Sequence, residues 1–262
     1  LNTALSVPEL AYILNDAEVT VLVFGVGFEP VVDSVLTEVD SIKTLVAVGT
    51  SFKGAVSYEQ LVASYPSAEP QVELSEQDVA CLVYTSGTTG TPKGIVGTHR
   101  GMLESALNQV LGCHLTEKNI GLVVTPLFWG ATMVACVQPQ VYVGGTLVIA
   151  ESTEPEAILD IIQRERITTS FMLPSTIMDI LEHPKLNSFD VSSLNQVWIA
   201  GAPLPVEAFK RAKEKLGNVF YQCYGTTELG PLTIITPEEQ VTEGPPEKVR
   251  RLASCGREAT NV

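Results

Sequence analysis

Between Tyr84 and Gly94 the chain reads YTSGTTGTPKG, a run of residue types that can hold an anion. Ser86, Thr88, Thr89 and Thr91 offer hydroxyl donors, with Thr85 just ahead of them. Gly87, Gly90 and Gly94 let the backbone turn its N–H groups inward, and Lys93 is the one positive charge between Ser75 and His99. That combination suits a triphosphate. The plainer alternative is a hairpin turn, since glycine, threonine and proline are ordinary turn residues. A turn rarely needs so long a run of small and polar residues between two apolar strands. Nor is the spacing that of the ATPase P-loop, where Gly, four residues and Gly-Lys-Ser/Thr lead straight into a helix. Here Pro92 and Lys93 precede Gly94 and a strand-like IVGT follows, so phosphate must be held without a helix dipole behind it.

A second cluster is YGTTE, Tyr224 to Glu228. A carboxylate just after a glycine-containing strand end can hold Mg²⁺ against polyphosphate oxygens. In isolation Glu228 would read as a solvated surface residue, Tyr224 as a core or rim residue, and Thr226 and Thr227 as strand-end caps. GVGFEP, Gly25 to Pro30, sits between a strand and a helix like a dinucleotide fingerprint but lacks the third glycine. No Ser-His-Asp or paired-carboxylate constellation is apparent. His99 reads as a packing or capping residue, His114 and His183 as surface residues, and the five cysteines as core fillers.

The elements that must position these clusters alternate between apolar runs of strand length and segments of helical period, the pattern of α/β layers on largely parallel sheets. Strands are expected at Thr20–Gly25, Thr44–Gly49, Val79–Thr85, Gly121–Thr125, Thr146–Ala150 and Gln196–Ala200, with others at GIVGTH, TSFML and NVFYQC. Helices are expected from Glu29 to Val39, over RGMLESALNQVLG, around Ala131 to Val137, from Ser175, and over PVEAFKRAKEKLG, closed by Gly217. In TEPEAILDIIQRER, Thr153 and Glu156 have capping-box spacing, and Ile158, Ile161 and Ile162 share a face. Ser64 to Asp78 is a polar connection, and the last twenty or so residues read as a loop entering a further element.

YTSGTTGTPKG closely resembles the phosphate-binding signature of the adenylate-forming superfamily, which includes acyl-CoA synthetases, 4-coumarate-CoA ligases, luciferases and peptide-synthetase adenylation domains. YGTTE resembles that family's second nucleotide motif. The resemblance implies that Tyr224, with Gly225 and Thr226 beside it, packs by the adenine, that Thr227 meets the α-phosphate, and that Glu228 coordinates Mg²⁺. GAPL resembles the segment whose backbone flanks the adenine, through Gly201, Ala202 and Pro203. THRG, PLFWG and SCGREATNV also fall in the family's order. Lys93 is then expected at the β- or γ-phosphate. Phe128, Trp129, Met133, Ala200 and Gly225 become candidates for an acyl pocket compatible with fatty, aryl or short acids. Trp129 departs from the commoner pattern: many relatives carry histidine in PLFH there, so Trp129 is read either as a pocket wall or as a core residue.

The resemblance covers the whole chain but implies a fragment of the amino-terminal domain, ending before the ribose-binding aspartate and the carboxy-terminal domain with its catalytic lysine. The fold expected is two stacked α/β subdomains, 1–118 with the phosphate loop and 119–240 with the adenine and Mg²⁺ motifs, and 241–262 starting a β element. The activity implied is ATP-dependent formation of an acyl-adenylate and its transfer to a thiol, coenzyme A or a phosphopantetheine carrier. The alternative is a nucleotide-binding module without catalysis. The fragment alone is expected to bind ATP weakly and to make no thioester.

Composition agrees with a folded α/β chain: of 262 residues, 45% are apolar and 18% charged. A net charge of −14, with no Lys or Arg before Lys43, argues against nucleic-acid or anionic-membrane partners. Any phosphate must be held locally. Five scattered cysteines without C-x-x-C spacing argue against a disulfide framework and suit a reducing cytoplasm, and no apolar run is long enough to span a bilayer.

Overall fold

The computed structural model describes residues 1–85 and 91–260. It is a mixed α/β structure with mostly parallel sheets, divided into two compact units, Leu1–Val96 and Gly97–Val262. The sequence reading places its boundary at 118. In the structure the helix His99–Cys113 belongs with the second unit, where it packs against the helix that follows and the strand Gly230–Ile235.

The first unit carries β1 (Val21–Gly25), β2 (Thr44–Val48) and β3 (Ala55–Ser57) as a parallel sheet, with β4 (Val79–Thr85) paired to β5 (Lys93–Thr98). The helix Val7–Asp16 begins where the Ser6 N–H donates to the Glu9 carboxylate at 2.8 Å. Its Leu10, Ala11 and Leu14 pack with Val35 and Val39 from the helix Glu29–Val35 and the turn after it. A smaller cluster joins Phe24, Val32 and Ala47, with Phe52 set edge-on to Phe24 at 5.4 Å. Lys43, Lys53 and Lys93 are this unit's only Lys or Arg residues, against twelve Asp and Glu.

The second unit is built on a seven-stranded sheet of β6 (Ile120–Val123), β7 (Thr146–Ile149), β8 (Thr169–Met172), β9 (Gln196–Ile199), β10 (Phe220–Thr226), β11 (Gly230–Ile235) and β12 (Arg257–Glu258). Its order is β12-β11-β10-β9-β8-β6-β7. The strands from β6 to β10 run parallel, and β11 and β12 are antiparallel. Helices Pro155–Glu165, Pro174–Glu182 and Val206–Leu216 cover one face, contributing Ile158, Ile162, Ile177, Ile180 and Phe209 to a large core. The other face packs Val123, Phe171, Trp198 and Tyr221 with Cys113 and Cys136. Because the parallel strands are covered on both sides, they read in sequence as continuous apolar runs.

Gly217 closes its helix at φ +95, as expected. The capping box at Thr153 and Glu156 does not form. The helix starts at Pro155 with Glu154 as its cap, and the Glu156 carboxylate is taken by Lys185 at 2.9 Å. His183 is not a surface residue: its side chain is 14% exposed and tilts against Phe189. Cys113 and Cys136 are core residues, whereas Cys255 is exposed.

Candidate nucleotide site

In an open parallel sheet, ligands gather at the carboxyl ends of the strands, and GAPL and YGTTE both lie there. The chain leaves β9 through Gly201, whose φ of +84 favours glycine. Ala202 and Pro203 stay exposed while Leu204 is buried and anchors the segment. β10 pairs with β9 as far as Gln222, then continues as a hairpin with β11 whose register shifts between Tyr224 and Gly225. At that bulge a Cβ on Gly225 would stand 2.2 Å from the Gly230 carbonyl oxygen, so only glycine fits. Residues 227–229 form the turn, closed by Gly230 at φ +67, and Thr227 and Glu228 are solvent-exposed there.

Residues 199, 201–206, 222–225 and 252–255 enclose a cavity of about 560 Å³. It brings Gly201, Ala202 and Pro203 together with Tyr224 and Gly225, residues separated in sequence by more than twenty positions. Tyr224 is half exposed beside it. Sequence reasoning assigned no role to Gln222 or to the 252–255 segment. Gln222 donates to Oε1 of the fully buried Gln240 at 2.7 Å, and Gln240 Nε2 in turn donates to the Phe220 carbonyl at 2.6 Å. The signal for the 252–255 segment was the glycine of SCG: Gly256 has φ +91, and a Cβ there would meet the Ile234 backbone at 2.2 Å.

The acyl-pocket candidates are placed differently. A buried hydrogen bond of 2.7 Å between the Thr125 and Thr132 hydroxyls ties the end of β6 to the following helix, and the connection between them holds Phe128 and Trp129. The two rings are set edge-on at 6.3 Å, and Trp129 is 38% exposed, so it is not a core tryptophan. The helix then runs Gly130–Thr132, a π turn Met133–Val137, and Gln138–Val143. Pro139 accounts for the wider turn, since it has no N–H to donate and its ring displaces the carbonyl one turn back. Ala200 packs on the same face of the sheet as Ala135 and Val137 of that helix. Of the five pocket candidates only Gly225 lines the 560 Å³ cavity; Phe128, Trp129, Met133 and Ala200 do not.

In the first unit Thr85 ends β4 and Lys93 opens β5 with its side chain exposed. Ser86, Gly87, Thr88, Thr89 and Gly90 lie outside the described residues. The Tyr84 hydroxyl donates to Asp16 Oδ2 at 2.6 Å, and burial, reinforced by that carboxylate and by Tyr12, pushes its ionisation up to about 12. Burial likewise pushes the Cys223 thiol up to about 12, which leaves it protonated beside the cavity and no nucleophile. No group of three His, Cys, Asp or Glu able to hold a metal ion occurs among the described residues.

Comparison with known proteins agrees with this arrangement. The chain is 30% identical over 243 residues to a feruloyl-CoA synthase of Amycolatopsis sp., a match covering 93% of this chain and 46% of that protein. Among solved structures, the amide bond synthetase McbA of Marinactinospora thermotolerans superposes with a TM-score of 0.85 at 29% identity, over 99% of this chain and 50% of that one. The N-terminal domain of FACL13 from Mycobacterium tuberculosis gives a TM-score of 0.86 at 25% identity, over 99% of this chain and 62% of that one. The chain thus spans about half the length of the curated relative it matches. The AMP-binding enzyme family matches residues 1–262, from end to end, and the chain belongs to that family.

Proposed function

We propose that the protein activates a carboxylic acid with ATP, forming an acyl-adenylate and pyrophosphate, and passes the acyl group to a thiol, coenzyme A in the first instance. The observation that carries this reading is the cavity joining Gly201, Ala202 and Pro203 to Tyr224 and Gly225, with Thr227 and Glu228 on the adjoining turn. In this reading the backbone of 201–203 flanks the adenine and Tyr224 packs against it. Thr227 donates to the α-phosphate, and Lys93 with Thr85, Ser86, Gly87, Thr88, Thr89 and Gly90 cradles the outer phosphates. Glu228 holds Mg²⁺. A single solvated carboxylate suits an ion that keeps several waters and is bound by one or two carboxylates together with substrate phosphates. The ion would neutralise charge building on the phosphate oxygens. The attacking carboxylate needs no general base, so the protein's part is alignment and charge neutralisation.

Phe128, Trp129, Met133 and Ala200, with Gly225, form the acyl side of the site. The feruloyl-CoA synthase match favours an aryl acid among the classes the pocket could take. The amide bond synthetase neighbour supports a second reading of the acceptor alone, an amine in place of the thiol. The protein works in a reducing compartment such as the cytoplasm, in keeping with five cysteines of which none is in a disulfide and with no helix, among the described residues, long and apolar enough to cross a membrane.

Carboxylate-dependent ATP–pyrophosphate exchange by the full-length protein tests this. Exchange should require the acid, and Glu228→Gln should lower it about a hundredfold. Lys93→Ala should cause a partial loss, where a P-loop enzyme would lose nearly all activity. Pyrophosphate release without any acid, or full activity in Glu228→Gln, would overturn the proposal. Supplying coenzyme A or an amine in the same assay separates the two acceptors.

A further inference from the structure

Two hydrogen bonds and one steric fit converge on the ends of YTSGTTGTPKG, and their donors and acceptors are not the residues assigned above to the nucleotide. On the outgoing side the Tyr84 hydroxyl donates to Asp16 Oδ2 at 2.6 Å. On the returning side the Tyr12 hydroxyl donates to the Pro92 carbonyl at 3.2 Å. Tyr12 and Asp16 stand four residues apart on the helix Val7–Asp16 and therefore share a face. The Tyr84 ring lies against Gly94, where a Cβ would come within 3.0 Å of Cζ and 3.1 Å of the hydroxyl oxygen. The helix beneath is itself fixed, with Leu10, Ala11, Ile13 and Leu14 buried.

We propose that Tyr12, Asp16 and Tyr84 are positioning residues that clamp both ends of the glycine-threonine segment to the helix Val7–Asp16. Through them Thr85 and Lys93, at the described ends of the segment, are set in place for phosphate during folding and not at binding. Gly94 is glycine because a side chain there would push the Tyr84 ring off its acceptor. The inference rests on the phosphate-binding role of the segment proposed above.

The test is calorimetric affinity for MgATP in the full-length protein, with KM for ATP and for the carboxylic acid measured on the same variants. Tyr84→Phe and Asp16→Ala should each weaken MgATP binding and raise KM for ATP about five- to tenfold, the size of one ordinary hydrogen bond, while KM for the acid holds. The double variant should be no worse than either single one, because both remove the same bond. Asp16→Asn, which keeps an acceptor oxygen, should restore most of the affinity. Titration of phenolic absorbance supplies a separate signature: two tyrosines, Tyr84 and Tyr221, should ionise near 12 in the wild type, and in Asp16→Ala one of the two should ionise earlier while the other holds. If the variants melt earlier yet bind MgATP as tightly as the wild type, the residues are merely structural and the clamp is overturned. If the wild type binds no MgATP, the functional reading fails, and the clamp with it.

Discussion

Gly225 illustrates how a residue can be set by a neighbour the sequence does not reveal. The reason for a glycine inside YGTTE is the Gly230 carbonyl oxygen, 2.2 Å from where a Cβ would stand. Backbone cannot step aside as a side chain can. Gly225→Ala should therefore cost about 1–3 kcal/mol in urea unfolding and loosen the turn that bears Glu228. Gly112→Ala is the contrast: its near neighbour is the tip of the Ile234 side chain at 2.7 Å, which can rotate, so the loss should be well under that of Gly225→Ala. Equal losses would sink the distinction. The sequence left Trp129 open between core and pocket wall, because an indole serves equally well in either. Its 38% exposure removes the core alternative.

At the scale of elements, the connection into β9 depends on one aspartate. Asp190 Oδ1 accepts from the Ser192 N–H at 3.0 Å and Oδ2 from Arg166 at 2.6 Å, so it ties the left-handed residue after helix Pro155–Glu165, at φ +52, to the strand's approach. Hydrogen bonds from Ser192 first, and then from Arg166, hold its carboxyl down to about 2. A depressed folded value means that the stabilising contribution is present above the ordinary aspartate value of 3.8 and is lost as pH falls towards 2. Carboxyl NMR should place the Asp190 midpoint near 2, and Ser192→Ala, which removes the hydroxyl but keeps the N–H, and Arg166→Ala should each raise it. A midpoint near 3.8 in the wild type would show the ties absent in solution. The parallel strands were legible for the reason given by burial, and their ends fell within a few residues of expectation. β11 was not: it opens on Gly-Pro, which reads as a turn, and its partner is fixed only by the hairpin bulge. The false capping box failed because spacing alone cannot say that Lys185, twenty-nine residues on, competes for Glu156.

For the whole molecule, GAPL and YGTTE stood out in the sequence as short contiguous stretches, whereas Gln222 and the 252–255 segment that line the same cavity did not. Nor was the clamp on Tyr84 legible, since it joins positions 68 residues apart through side chains that look like ordinary helix and strand residues. The charge distribution has a kinetic consequence. In the proposed reading MgATP is an anion approaching a chain of net charge −14, whose first unit offers only Lys43, Lys53 and Lys93 as cations. Repulsion should oppose the encounter once the ligand comes within about 10 Å, the screening length at 0.1 M salt, beyond which the charges hardly feel one another. Stopped-flow association rates should therefore rise with added salt towards physiological strength, the reverse of a positively charged nucleotide binder, and a falling rate would mean that the local field of Lys93 governs the approach. On that view the ionic strength around the protein sets how fast the proposed nucleotide is loaded, and lowering the salt slows it.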